Sequence, residues 1–241
     1  MQASVRAWRD TIEVLGALAT PASIVLAISI AFAFLQHFIA PAEKALQSGP
    51  LLASFIIICG QAFLLTPYLI AIHRFIILGE ATTRYEITAS THRFQLFFLW
   101  SMALSMFYWV PAFLIAAFFA KTDVLFLMAT LLLLAFTIAA LIITVRLIIL
   151  FPAIAVDAPG ATWANAMAHT KGNVWRILFI SMVAALPAFA GMTVLLLIVP
   201  KTWPLVSAIL EGAMSVLLMT LAIAIASRLY EQLGDRVNRK D

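Results

Sequence analysis

Glu211 is the acid that stands inside a long apolar run, seven residues beyond Pro204. At helical rise that places it roughly 10 Å into a bilayer, where an ionised acid costs on the order of 2 kcal/mol or more unless it is paired or hydrated. Two readings are open. Glu211 is a proton- or cation-coupling site, or it is structural and reaches the outer surface or pairs with Lys201 or Lys121. The second chemistry-bearing set is basic: Arg74 in His73-Arg74-Phe75-Ile76-Ile77-Leu78, Arg146 in Arg146-Leu147-Ile148-Ile149-Leu150, and Lys171 with Arg176. Together these four can form a ring for lipid phosphates, because a guanidinium matches phosphate bidentately. The alternative is that they are topological anchors, each contributing about 1 kcal/mol of attraction to an anionic leaflet.

Other constellations are poorer. His37, His73, His92 and His169 are far apart in sequence, and interfacial histidines are commoner as polar anchors than as metal ligands, so no metal site is expected. Cys59 stands alone inside an apolar run, which excludes an intrachain disulfide and any site built on cysteine pairs. Pro67, Pro111 and Pro187 interrupt apolar runs and can mark broken helices around a substrate path, but their neighbours Thr66, Tyr68, Trp109 and Leu186 are not the paired ionisable groups such a path uses. Packing kinks are the plainer role. The chain has no phosphate-cradling glycine loop and no nucleophile elbow. No catalytic residue and no cofactor is therefore assigned.

The elements that must position these residues are apolar helices. The 241 residues are 64% hydrophobic and 11% charged, with mean hydropathy +1.07. Ordinary soluble domains are about half apolar and about a quarter charged. About 20 apolar residues cross a hydrocarbon core of about 30 Å, and runs of that length recur here. The sequence predicts one all-α, polytopic domain with six spans at about 21–39, 51–78, 94–120, 124–149, 174–199 and 205–226, and a charged tail over 227–241. Lys121-Thr122-Asp123 is a tight turn that makes spans three and four an antiparallel hairpin.

Two further helices are expected at the interface. Over residues 4–18, Val5, Trp8, Ile12 and Leu15 recur at helical spacing while Arg6, Arg9, Asp10 and Glu13 take other faces, which predicts an amphipathic helix lying on the membrane. Ala161 to Asn173 is too polar to span and predicts a second interfacial helix before span five, anchored by Trp163. Ala40-Pro41-Ala42 resembles a signal cleavage site, but the apolar run before it is as long as a span, whereas signal cores are about 7–15 residues. A retained segment is expected. The small residues Ala184, Ala188 and Gly191, and Gly212, Ala222 and Ala226, predict close approach of spans five and six.

Charge fixes the expected orientation. With the N-terminus inside, Arg6, Arg9, Arg74, Arg84, Arg93, Arg146, Lys171, Arg176, Arg228, Arg236, Arg239 and Lys240 fall on the cytoplasmic side, against Lys44, Lys121 and Lys201 outside. The net charge of +4 has no folded soluble face on which to read nucleic acid, so it is expected to meet anionic phospholipid.

Two segments, Ala71-Ile-His-Arg-Phe-Ile-Ile-Leu-Gly-Glu80 and Phe151-Pro-Ala-Ile-Ala-Val-Asp157 continued by Thr170-Lys-Gly-Asn-Val-Trp-Arg176, resemble the bacterial YciC-like family and the membrane domain of glycerophosphoryl diester phosphodiesterase. The layout of an amphipathic N-terminal helix, six spans and an interfacial helix before span five is similar too. The resemblance implies a bacterial inner-membrane protein with no assigned catalytic residues. Hydrolysis in the phosphodiesterase architecture belongs to a separate soluble barrel of roughly 250 residues, which this chain has no room for. The function expected is non-enzymatic: contact with lipids, or with a larger membrane complex as an accessory or scaffold subunit or in envelope maintenance. The alternative is a small transporter or channel using Glu211 and the proline-kinked helices.

Overall fold

The computed structural model describes residues 2–39, 48–118, 123–198 and 203–234, and its regular elements there are all helices. They are α1 (Gln2–Ala17), α2 (Ala19–Ile39), α3 (Ser48–Leu78), α4 (His92–Phe118), α5 (Asp123–Arg146), α6 (Leu150–Ala155), α7 (Trp163–His169), α8 (Val174–Ile198) and α9 (Pro204–Leu233). Among the described residues α2, α3, α4, α8 and α9 are long and apolar enough to cross a membrane, and α5 adds the shorter apolar stretch Thr130–Arg146. The described residues are thus all-helical in their regular structure, with five candidate spans. Lys44, Lys121 and Lys201 lie outside the described residues, as does the turn expected around Lys121.

Helix α9 packs against α1, α2, α3 and α8, while α4 lies between α3 and α5. The connections place α1, α6, α7, the ends of α3, α5 and α9 and the starts of α4 and α8 together, here termed the near end. Both buried clusters extend to it. One joins Ala7, Phe97, Ile149, Leu150, Ile154, Ala166, Ile177, Ala224 and Leu229. The other joins Val14, Leu18, Val25, Leu65, Tyr68, Ile72 and Val216. Towards the far end the helices expose Leu131, Leu134, Phe136, Phe189, Leu197 and Leu205, side chains suited to lipid rather than to each other.

Helices α3 and α9 have 31 and 30 residues, about 45 Å each at 1.5 Å rise and so about ten residues more than a 30 Å core requires. The excess of α9 carries charge yet stays helical. Its Leu229 and Tyr230 are buried, and Arg228 is held by Asp10 of α1 through Nε at 2.6 Å and a terminal nitrogen at 2.9 Å. Helix α9 therefore continues to Leu233, past the end of the apolar run.

Helix α1 packs on the bundle through a face beside the one expected to lie on the membrane, with Trp8 and Leu15 at its margin. Val5 and Ile12 are exposed, whereas Ser4, Ala7, Asp10, Thr11 and Val14 are buried, a stripe at the same helical period one position away. The stripe is tied to the bundle by polar bonds that apolar periodicity cannot register: Trp8 Nε1 donates to Ala184 O at 2.9 Å, and Asp10 holds Arg228. Leu18 turns the chain into α2, where Pro21 has no N–H to continue the ladder.

Three local features adjust the helices around this core. Gly79 ends α3 at φ +71°, a left-handed conformation suited to glycine, and its N–H bonds Phe75 O. Pro67 withdraws an N–H from the middle of α3, and the Tyr85 hydroxyl, arriving from the 79–91 segment, donates to the neighbouring carbonyl of Leu64. Burial pushes the Tyr85 phenol up to about 12, so it stays a donor. The unexpected short helix α6 has all but Phe151 buried, and it accepts Pro152 because a first-turn N–H needs no helical partner.

The small residues are redistributed. A Cβ on Gly212 would lie 2.6 Å from Ile30 Cγ1 and 2.9 Å from Ile30 N, so this glycine serves contact of α9 with α2 rather than with α8. Gly191 faces open space and Ala222 is exposed, leaving Ala184, Ala188 and Ala226 as buried small residues of the expected set.

Candidate functional site

The four basic residues read as a phosphate ring do not share one environment. Arg74, near the end of α3, gives Nε to Glu80 at 2.7 Å and a terminal nitrogen to Ala155 O at 3.1 Å, and lies 3.6 Å from Asp157. Asp157, at φ +53° just past the C-cap Val156 of α6, also takes two bonds from Arg93 at the start of α4, one of them 2.9 Å long. This Glu80–Arg74–Asp157–Arg93 chain pins α3, α4 and α6 together. Arg146 ends α5 and donates to Met167 O at 2.7 Å, while its buried Nε has no partner among the described residues. The backbone oxygen of Arg146 accepts from Thr170 at 2.8 Å. Arg74 and Arg146 are thus committed to joining helices.

Lys171 and Arg176 differ. Both are exposed, and among the described residues neither makes an ion pair or side-chain hydrogen bond. They belong to the segment where α7 turns through Gly172, at φ +83°, into α8. Thr162 caps α7 by accepting from Asn165 N at 3.3 Å, which orients the segment. Trp163 and Trp175 in the same segment are 57% and 81% exposed. Two free cations and two free indoles on one edge have the composition of a membrane–water boundary.

Also at the near end, a cavity of about 500 Å³ opens between α3 and the 79–91 segment. Its apolar side includes Pro21, Pro67 and Ala71, and its polar side includes Arg74, Thr82 and Arg93. Arg84 and Glu86 border it and lie 3.7 Å apart, both well exposed.

Glu211 lies elsewhere, in the far half. It shares a cleft of about 190 Å³ with Ser29, Ala33 and Gln36 of α2, Gln61 of α3, and Gly212 and Ser215 of α9. No ion pair reaches Glu211 among the described residues. Between this cleft and the near end, two buried contacts join α3 to α9. Thr220 Oγ1 gives its proton to Val216 O, so Tyr68 OH donates to it at 3.2 Å. Ser227 likewise donates to Ile223 O and accepts from His73 Nδ1 at 2.8 Å. His73, His92 and His169 do not form a group, and no cluster of three His, Cys, Asp or Glu able to hold a metal occurs among the described residues.

Sequence reasoning missed Asp10, Asp157 and the cleft. Asp157 carried a visible signal, since an acid beside Ala158-Pro159-Gly160 marks a turn at a basic surface. Gln61 and Ser29 gave none, being single polar residues in separate apolar runs. Comparison with family models, with curated proteins and with solved structures found no match to this chain. Fold and site together fit an α-helical membrane protein with several spans.

Proposed function

We propose that this chain is a non-enzymatic, six-span protein of the bacterial inner membrane, with the near end and both termini in the cytoplasm, related to the YciC-like family and acting through lipid contacts. The observation that carries the reading is the α7–α8 edge, where Lys171 and Arg176 have no ion-pair partner among the described residues and stand between two exposed tryptophans. Indoles settle at the headgroup level and free cations beside them attract anionic phosphate, each by about 1 kcal/mol. In this reading Arg74 and Arg146 hold the scaffold, and Lys171 and Arg176 meet the lipid. Span four is α5, completed by residues flanking its apolar stretch.

A protein contact is supported by α5 itself, which exposes Leu131, Leu132, Leu134, Phe136, Ile138 and Leu141 around its circumference. A helix apolar all round is covered by lipid or by a neighbouring subunit, which fits an accessory or scaffold role in a larger complex.

The test is native mass spectrometry of the purified protein with phosphatidylglycerol and phosphatidylcholine. The wild type should retain phosphatidylglycerol preferentially, and K171A/R176A should lower that preference by about thirtyfold, equivalent to the roughly 1 kcal/mol expected from each of the two cations at the interface. R74A should instead lower thermal stability. Equal retention by wild type and K171A/R176A contradicts the reading.

A further inference from the structure

The far-half cleft has features that lipid contact at the near end does not use. Three helices contribute polar groups to it: Ser29 and Gln36 from α2, Gln61 from α3, and Glu211 with Ser215 from α9. Hydroxyls elsewhere in these helices bond the carbonyl four residues back, as Thr66 does to Ala62, Thr220 to Val216 and Ser227 to Ile223. Ser29 does not. It is 2% exposed, lines the cleft, and its Oγ has no hydrogen-bond partner among the described residues. A buried hydroxyl left unmatched is destabilising, so an acceptor or donor in the cleft would offset a standing penalty.

The cleft has a rim and a floor. Gln36 is three residues from the far end of α2, and Ser29 lies two turns deeper, about 10 Å at helical rise. One turn beyond Ser29, Gln61 and Gly212 towards the near end stand Val25, Leu65 and Val216, all buried in one cluster. The cleft is therefore a recess open at the surface, where Glu211 and Ser215 are exposed, and closed by apolar packing towards the near end, a shape for holding rather than conducting. Close contact at Gly212 and Ile30 fixes the spacing of two of its walls.

We propose that this recess binds a primary ammonium group carried on a short, two- to three-carbon chain. An ammonium has three donors and no acceptor, and the recess offers a carboxylate, a hydroxyl lone pair and side-chain amide oxygens from three directions. Glu211 gains the counter-charge that an acid in an apolar span needs. The volume of about 190 Å³ equals about six waters at about 30 Å³ each, enough for an ethanolamine-sized group. A quaternary ammonium has no N–H to satisfy these acceptors, and no aromatic side chain among the described residues lines the recess to cage it. The ammonium can belong to a phospholipid headgroup of the far leaflet or to a free amine in the aqueous phase.

The purified full-length protein is tested with phosphatidylethanolamine and phosphatidylcholine by native mass spectrometry, and with ethylammonium chloride against sodium chloride by thermal shift. Binding of phosphatidylethanolamine but not ethylammonium assigns the lipid headgroup, and a saturable shift with ethylammonium but not sodium assigns the free amine. In either case E211Q should weaken binding about tenfold or more and S29A by a smaller factor, as expected for a charged and a neutral hydrogen-bond partner. K171A/R176A should leave it unchanged, which separates this proposal from the near-end reading. Should E211Q fail to elute as a monodisperse species, Q61L and S29A supply the same comparison. The proposal is overturned if neither probe binds, if phosphatidylcholine is held as well as phosphatidylethanolamine, if sodium gives the same shift as ethylammonium, or if the variants bind like the wild type.

Discussion

The Asp10 carboxylate is 3% exposed and faces an Arg228 side chain that is 29% exposed. Their two parallel bonds join the first helix to the last across 218 residues of sequence. Removing one partner of such a pair strands the other in a place it would not otherwise occupy, a loss of about 3–5 kcal/mol for a fully buried pair. Arg228 retains Glu231 at 2.8 Å and some solvent, so D10A should cost about 3 kcal/mol, the low end of that range. Unfolding in detergent micelles by increasing denaturant measures this, and D10A/R228A should be clearly more stable than the sum of the single losses. Strict additivity would show that the pair is not coupled. The exposed pair Arg84–Glu86 invites no such prediction, because surface ion pairs contribute about 0–1 kcal/mol.

At the scale of elements, Gly212 governs how closely α2 and α9 meet. A methyl there would have to displace the backbone of Ile30 and not merely a side-chain end, and overpacking of this sort costs about 1–3 kcal/mol. G212A should lower the melting temperature, and the recess around Glu211 should widen enough for Cys substituted at Ser29 to react faster with a water-soluble thiol reagent in a Cys59→Ser background. An unchanged melting temperature and reaction rate would show that α2 and α9 are not held in contact there. The existence of the long helices was legible because each holds a long apolar run, and the end of α3 because Gly79 follows Leu78. What escaped were choices that depend on partners. The buried face of α1 is set by Trp8 and Asp10 reaching α8 and α9, and the length of α9 by the burial of Leu229 and Tyr230. Helix α6 was hidden because an apolar run reads alike whether it continues a span or turns beneath it. Glu211 was visible as a lone acid, but its company was not, since Ser29, Gln61 and Glu211 meet only through the packing of α2, α3 and α9.

The whole molecule is asymmetric from end to end. Polar ties cross between helices at the near end, through Asp10–Arg228, Arg74–Asp157–Arg93 and Arg146–Met167, while the far half of α5 and α8 presents apolar side chains outward. Such a body has a firm basic base and helices that lean on lipid or on a neighbour above it. Its proposed function depends on which way it stands, because anionic phosphate gathers at the cytoplasmic leaflet and a recess in the far half would then lie towards the opposite leaflet. The most direct measurement is single-cysteine labelling with a membrane-impermeant maleimide in a Cys59→Ser background. Cysteines at Glu13, Ala168 and Gln232 report the near end and one at Trp203 the far end. Labelling of the first three in inside-out vesicles alone, and of the fourth in right-side-out vesicles alone, is the predicted result. Near-end labelling from outside would contradict the orientation, and Glu13 and Gln232 on opposite sides the even number of spans, on both of which the lipid reading rests.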